Sequence, residues 1–365
     1  MEPFDLREIK VLPLQSRQSL TKVEAITLDP TASPKEIPAA QLDVIRQCAR
    51  KIAQAREQGK SVILIYGAHL IRNGASRILQ QLIDKNYLTH LATNGAGTIH
   101  DWEYAYLGVS TEDVAANVHE GCFGTWDETG RHIHTALYAG TAQGLGYGAA
   151  LGDYILQDGA TISDPAALES EIFARPEAPE TVARFELLSA IRRGELRPGR
   201  AKVEHPWKSF SLLAHARKRN VPLTVHPGIG YDIISNHPMF NGAVIGRAAT
   251  IDFRLFCASV MGLDDGVVLS IGSAIMGPQV FEKSLSCVNN VRRQRGKEVV
   301  HGHTIYVVDL QDSGNWNWEK GEPPKDNPAY YLRFCKSYSR MGGKMQYLQC
   351  DNAAFVHHLY QQLIG

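Results

Sequence analysis

The sequence predicts an α/β fold, a doubly wound and mostly parallel sheet with helices on both faces. Short apolar, β-branched runs recur along the chain, Ser61–Tyr66 (SVILIY) being the plainest, and continuous runs of this kind suit strands buried on both faces. Segments with apolar residues at helical spacing separate them, at the intervals of βαβ units. Several runs also end at a glycine or in a polar loop, where ligands sit in open parallel sheets.

In order, a Pro-rich lead (Pro30, Pro34, Pro38) precedes Ala39–Gln58, where Leu42, Ile45, Ala49 and Ile52 share one helical face and Gly59 follows as a stop. Ser61–Tyr66 is the first strand and ends at Gly67. A helix is expected from about His69 to Lys85, through Leu70, Ile78, Leu79 and Leu82, then a strand at Leu88–Thr93. Helix Phe210–Arg219 leads to strand Val221–Val225, Thr250–Met261 to Val267–Ile271, Pro278–Val291 to Thr304–Leu310, and Ala329–Met341 to Met345–Gln349. Gly140–Gly152 is glycine-rich, and Asp158–Arg200, charged and interrupted by Pro176, Pro179 and Pro198, reads as a helical insertion or lid. The domain expectation is a lead and helix over residues 1–60, then one nucleotide-binding domain over 61–365 carrying that insertion at about 158–200.

Lys plus Arg equals Asp plus Glu at 38 each, so no global field favours nucleic acid or an anionic membrane. The six cysteines are scattered without a C-x-x-C pair, which fits a reducing, cytoplasmic setting. No apolar run approaches the roughly 18 residues needed to span a bilayer.

The loops carry the chemistry. LATNGAGTIHD (Leu91–Asp101) places Thr93, Asn94, Gly95 and Gly97 after a strand, with His100 and Asp101 following. Glycines there let a backbone approach a pyrophosphate beside a helix N-terminus, although the spacing falls short of G-x-G-x-x-G and a plain βα turn uses the same residues. SIGSAIMGP (Ser270–Pro278) repeats the theme with Gly272 and Ser273. VHPGIGYDIISNHP gathers His226, Asp232, Asn236 and His237, an imidazole able to take a proton near neutral pH with carboxylate company. H-x-H pairs at His132/His134 and His301/His303 would face one side of a strand and suit zinc or iron, but no spacing fixes a third ligand. In Gln311–Tyr331, Asp312, Trp316, Trp318 and Glu319 interleave carboxylates with aromatics, a lining for an organic cation or, equally, interface packing.

Together these loops resemble the deoxyhypusine synthase family from about Ser61 to Leu363. ILIYGAHLIRNG resembles its first strand and NAD-contacting turn, which includes Gly67 and His69; LATNGAGTIHD resembles its V-T-T-A-G-G-x-E-E-D loop, with His100 where an acid is usual. His237 falls on the family's catalytic histidine, SIGSAIMG on its Gly-rich NAD loop, Asp312–Gly314 on its cation-site segment, and Asp351 on a ribose-contacting aspartate. The resemblance implies a Rossmann-like NAD fold, dimers or tetramers with sites at the dimer interface, and oxidation of a polyamine by hydride transfer followed by aminobutyl transfer through an enzyme lysine. The family's P-D-E-A-V-S-W-G-K stretch has no counterpart; DNPAYYLRF (Asp326–Phe334) stands there without the lysine.

The expectation is therefore an NAD-dependent enzyme acting on a small amine or polyamine, with His237 as general base, simple dehydrogenation as the conservative chemistry, and no resident metal. Competing expectations are a non-catalytic NAD- or polyamine-binding protein and a metal-dependent hydrolase built on the H-x-H pairs.

Overall fold

Every residue of Val62–Tyr66 (β1), His90–Thr93 (β2) and Val267–Ile271 (β4) is buried, as their unbroken apolar runs require. With Leu223–Val225 (β3), Thr304–Asp309 (β5) and Lys344–Gln349 (β6) they form a six-stranded sheet in the order β3-β2-β1-β4-β5-β6. That order is the doubly wound Rossmann arrangement, whose connections reverse direction between β1 and β4. The pairings β1–β2, β1–β4, β4–β5 and β5–β6 are all parallel. Register aligns Tyr66 with both Thr93 and Ile271, so these three strands end level and their loops leave side by side.

The computed structural model describes residues 1–364, and the chain divides into two compact units. A sheet unit comprises Ile26–Gly97, Arg219–Leu223 and Phe253–Gly365; a helical unit comprises Met1–Ala25, Thr98–Lys218 and Thr224–Asp252. The lead expected over 1–60 thus parts at Ala25/Ile26, and the expected single body from residue 61 is shared between the units. The sheet unit's core is apolar, built on Ile63, Ile65, Phe256, Phe281, Ile305 and Tyr338. Losing a buried phenylalanine from such a core costs about 3–5 kcal/mol.

Several element boundaries differ from expectation for local reasons. The helix expected over His69–Lys85 is two helices, Ala68–Arg72 and Ser76–Asp84. Between them Gly74 has φ +80°, and a Cβ on it would lie 1.9 Å from the Ile26 carbonyl oxygen. The residues Gly95–Gly97, expected as a loop, are the first turn of the helix Gly95–Leu107. Asp158–Arg200 is closed at its base by antiparallel pairing of Gly159–Ile162 with Gly199–Lys202, and it carries the helices Pro165–Ala174 and Thr181–Arg192. Ala329–Met341 is helical only over Arg333–Ser339, after a short 3-10 turn at Pro328–Tyr331.

Candidate functional site

The level ends of β1 and β4 bring Gly67 and Gly272 together at the point where the strand order reverses. Gly67 donates its N–H to Ile271 O at 3.1 Å, and Gly272 donates to Val308 O at 3.0 Å. A Cβ on Gly67 would lie 2.0 Å from the Gly272 carbonyl oxygen, so only glycine permits this approach of two backbones. Gly272 itself sits at φ +58°, with the Asn352 amide across it: a Cβ there would come within 2.5 Å of Nδ2. Ser273, almost buried, accepts the Gly277 N–H at 3.1 Å and so fixes the turn into the helix Met276–Gln294.

Beside this crossing, Asn94 caps the Gly95–Leu107 helix, its Oδ1 accepting the Gly97 N–H at 3.0 Å. Thr93 ends β2 with its hydroxyl donating to Tyr66 O at 3.1 Å, and a Cβ on Gly97 would lie 2.2 Å from that hydroxyl oxygen. Glycine at this helical position therefore lets the helix start close over the strand, the packing that dinucleotide folds require. His69 is exposed. Asp351 is engaged as a cap, accepting the Ala354 N–H at 2.9 Å at the start of the helix Asn352–Ile364. The next residue, Asn352, is the one that reaches the crossing, and its Oδ1 is buried without a hydrogen-bond partner. Sequence reasoning passed over Asn352 because one position separates a helix cap from a side chain aimed at a neighbouring strand end.

The expected cation lining is not assembled from its four residues. Trp318 is packed into the sheet unit's core with Trp316 against it, and Trp316 donates from Nε1 to Gly321 O at 3.0 Å. Asp312 is exposed and accepts the Gly314 N–H at 2.8 Å; Glu319 pairs with Lys344 at 3.0 Å on the surface. Both tryptophans pack on the sheet unit's own core, which is neither a ligand lining nor an interface.

Several ionisable residues of the helical unit are buried and networked. Asp101 accepts from the Ser211 hydroxyl and from the Leu212 and Leu213 N–H groups, capping the helix Leu212–Lys218. Burial pushes its carboxyl up to about 6, against those donors. Glu103 takes a bidentate ion pair from Arg17 at 2.7 and 2.9 Å and also accepts from Ser110 and Thr129. His100, where the resembled family places an acid, bonds through Nδ1 to the Ser110 hydroxyl at 2.8 Å and so joins this network. Asp252 accepts the Gly148 and Val225 N–H groups, and burial raises it to about 7.

Asp232 is buried and accepts the Gly228 N–H at 2.7 Å, fixing the loop that leads to His237. His237 is 3 % exposed. Its Nδ1 accepts the Met239 N–H at 3.1 Å, and its Nε2 lies 3.8 Å from Asp127 Oδ1. With Nδ1 accepting, the neutral ring carries its proton on Nε2, which faces Asp127 beyond hydrogen-bond distance and has no hydrogen-bond partner. Burial holds the imidazole below its usual pKa, while Asp127 pulls the other way. The ring stacks on His134 with centroids 5.7 Å apart, over Gly130, where a Cβ would lie 2.2 Å from the imidazole. Asp127 escaped the sequence reading; its only signal is its position seven residues before His134 on one helix, Asp127–Thr141.

That same helix overturns the expected strand placement of His132 and His134. Residues two apart on a helix point about 200° apart. His132 turns into an aromatic nest with Trp102, Tyr106, Tyr154 and His205, bonding the Tyr154 hydroxyl at 2.9 Å. His301 is exposed and His303 fully buried. Among the described residues no group of three or more His, Cys, Asp or Glu is placed to hold a metal ion. Among them also, no helix is long and apolar enough to cross a membrane.

Comparison with known proteins bears on the sheet unit most directly. Residues 46–135, less than half of the chain, match the family described as arginine dihydrolase ArgZ-like, C-terminal, Rossmann fold. This is a different family from the one its loop motifs resemble. No curated protein matches. Among solved structures, unliganded AgrE is similar at 14% identity and TM-score 0.43 over 90% of this chain and 34% of that one. The apo form of ArgZ, an arginine dihydrolase from the ornithine-ammonia cycle in cyanobacteria, is similar at 15% identity and TM-score 0.41, over 88% of this chain and 32% of that one. A conserved putative LOR/SDH protein from Methanococcus maripaludis S2 is similar at 12% identity and TM-score 0.43, over 97% of this chain and 76% of that one. The chain spans about a third of the length of the AgrE and ArgZ chains. Its sheet unit is a Rossmann-like α/β fold, and residues 46–135 carry the likeness to the ArgZ-like Rossmann family.

Proposed function

We propose that the sheet unit binds NAD across the carboxyl ends of β1 and β4, and that the protein uses it to oxidise a small amine of the amino-acid or polyamine class. The observation that carries the cofactor reading is the backbone contact of Gly67 with Gly272 at the reversal of strand order, the place where dinucleotides lie in this fold. The ArgZ-like match supports it, because residues 46–135 include Gly67 and the Thr93–Gly97 turn. The name of that family, an arginine dihydrolase, is the support for an amino-acid amine.

NAD when bound supplies the hydride acceptor. The protein's part is to bind and orient it. Gly67 and Gly272 let the two strand-end backbones and the Asn352 amide pack together where the strand order reverses, and Asn94 holds the Gly95–Leu107 helix with its positive end at the same strand ends. Within the helical unit His237 is the proposed general base: burial keeps its imidazole neutral, and Asp127 favours the imidazolium once formed. The proton would arrive at Nδ1, so the Met239 N–H must give up that atom during turnover. Without the lysine of the deoxyhypusine synthase motif, dehydrogenation to an imine is the chemistry proposed rather than aminobutyl transfer.

Calorimetry with NAD, followed by NADH absorbance across arginine, ornithine, putrescine and spermidine, tests both halves. Binding with turnover of one amine is the expected result. Absence of NAD binding would sink the proposal, and binding without turnover would leave a nucleotide-binding protein. His237→Ala should remove turnover and leave NAD affinity within a few-fold; unchanged turnover would end its assignment.

A further inference from the structure

The orphaned amide at the β4 end asks for a ligand group of its own. Asn352 is buried except for 9 % of its surface, and it is the first residue of the helix that follows β6. Its amide crosses the left-handed Gly272, yet Oδ1 has no hydrogen-bond partner. Buried side-chain oxygens are seldom left so, and an amide oxygen can only accept. The group it awaits therefore carries an N–H or O–H.

Position narrows the choice. The doubly wound sheet consists of two mononucleotide-binding halves, here β1–β3 and β4–β6. The half containing β1 and β2 supplies Gly67, Asn94 and the capped helix, the elements suited to pyrophosphate and the adenosine side. Asn352 and Gly272 both belong to the other half. Ser273, the other polar side chain singled out at this strand end, already holds the Gly277 N–H, whereas the Asn352 oxygen is buried with no partner at all.

Resting on the NAD reading above, we propose that Asn352 is the residue that recognises the nicotinamide half of the cofactor, its Oδ1 accepting a hydrogen bond from the carboxamide NH2. Asp351 beside it has a separate task as the cap of the helix. The glycine at position 272 is then explained twice, by its positive φ and by the amide that lies across it.

The test compares three ligands by calorimetry on the full chain: NAD, the 3-acetylpyridine analogue, which keeps the carbonyl but lacks the NH2, and ADP-ribose, which lacks the ring. In the wild-type protein NAD is expected to bind about tenfold more tightly than the acetylpyridine analogue, the size of one good hydrogen bond to a buried acceptor. Asn352→Ala should erase that difference and leave ADP-ribose affinity unchanged. Equal wild-type affinity for NAD and the analogue overturns the inference, without any variant having to fold. A variant that weakens ADP-ribose as much as NAD also overturns it, because the amide would then be supporting the loop. A wild-type protein that binds neither NAD nor ADP-ribose overturns the cofactor reading itself, a result distinguishable from both.

Discussion

The two units differ in how much ionisable chemistry they bury, the sheet unit adding only His90, His303, His357 and Arg292 to its apolar core. The sheet unit closes on aliphatic and aromatic side chains, and its candidate site is made mostly of backbone: two glycines in contact, a capped helix start and one amide. The helical unit buries Asp101, Glu103, Asp232, Asp252, His132, His134, His205, His226 and His237, and its four carboxylates are held by hydrogen bonds from side chains and backbone N–H groups. Backbone sites tolerate changes at most positions but not at the few where a Cβ has no room. Networks of buried ionisable groups fail when any partner is removed, because the remaining charge stays buried.

The sharpest way to break this contrast is Glu103→Ala. It leaves the Arg17 guanidinium, whose side chain is only 2 % exposed, without its carboxylate. A loss of about 3–5 kcal/mol is expected in urea unfolding. A loss below about 1 kcal/mol would show that the helical unit does not lean on its networks.

Acid should act on the same unit. Burial lowers His132 to about 3, and His134, His205 and His226 to about 4, from an ordinary 6.5. These groups stay neutral in the folded chain while the unfolded chain takes up protons, so their contribution to stability is present above 6.5 and is lost as pH falls through that window. Asp101 and Asp252 act in the opposite sense: raised to about 6 and about 7, they bind protons more readily when folded and stabilise as pH falls. With His237, also held low by burial, five imidazoles stand against two carboxyls and give a net loss on acidification. Melting should therefore move to lower temperature between about pH 7 and about pH 5, and His132→Gln should flatten the change. A flat wild-type profile would mean that these imidazoles are not buried in solution.

In the sheet unit the small change aimed at the candidate site is Gly67→Ala. Backbone angles there (φ −91°, ψ 166°) suit any residue, so the cost is the clash with Gly272 O alone. About 1–3 kcal/mol of stability should go, together with NAD binding. Stability lost with NAD binding intact would separate the crossing from the cofactor. Asn94→Ala, which removes one cap, should cost only about 1 kcal/mol and weaken NAD a few-fold. No change in either would show that the helix start orients nothing.

The central strands were legible because they are buried on both faces and so read as continuous apolar runs, whereas Lys344–Gln349 at the sheet edge is only partly buried. Val267–Ile271 emerged with both ends as expected, and Thr304–Asp309 and Lys344–Gln349 to within one residue. The glycines at strand ends were legible too, since close backbone approach leaves no other residue possible. His69–Lys85 was misread as one helix because the interruption at Gly74 depends on the chain passing at Ile26, a contact distant in sequence. The H-x-H pair at His132 was misread because a two-residue spacing means one face only if the segment is a strand, and Asp127–Thr141 is a helix. Trp316 and Trp318 looked like a cation lining because aromatic residues beside carboxylates have the same pattern whether they line a site or fill a core.

By itself, then, the sequence determined the class of sheet, where its strands end and that glycines stand at those ends, since burial and steric exclusion act on each residue locally. The tertiary structure decided the strand order, the meeting of Gly67 with Gly272, the placing of Asn352 rather than Asp351 at the crossing, and the Asp127–His237–His134 stack. Each of these joins residues far apart in the chain, and their side chains carry no local mark of which partner they will meet.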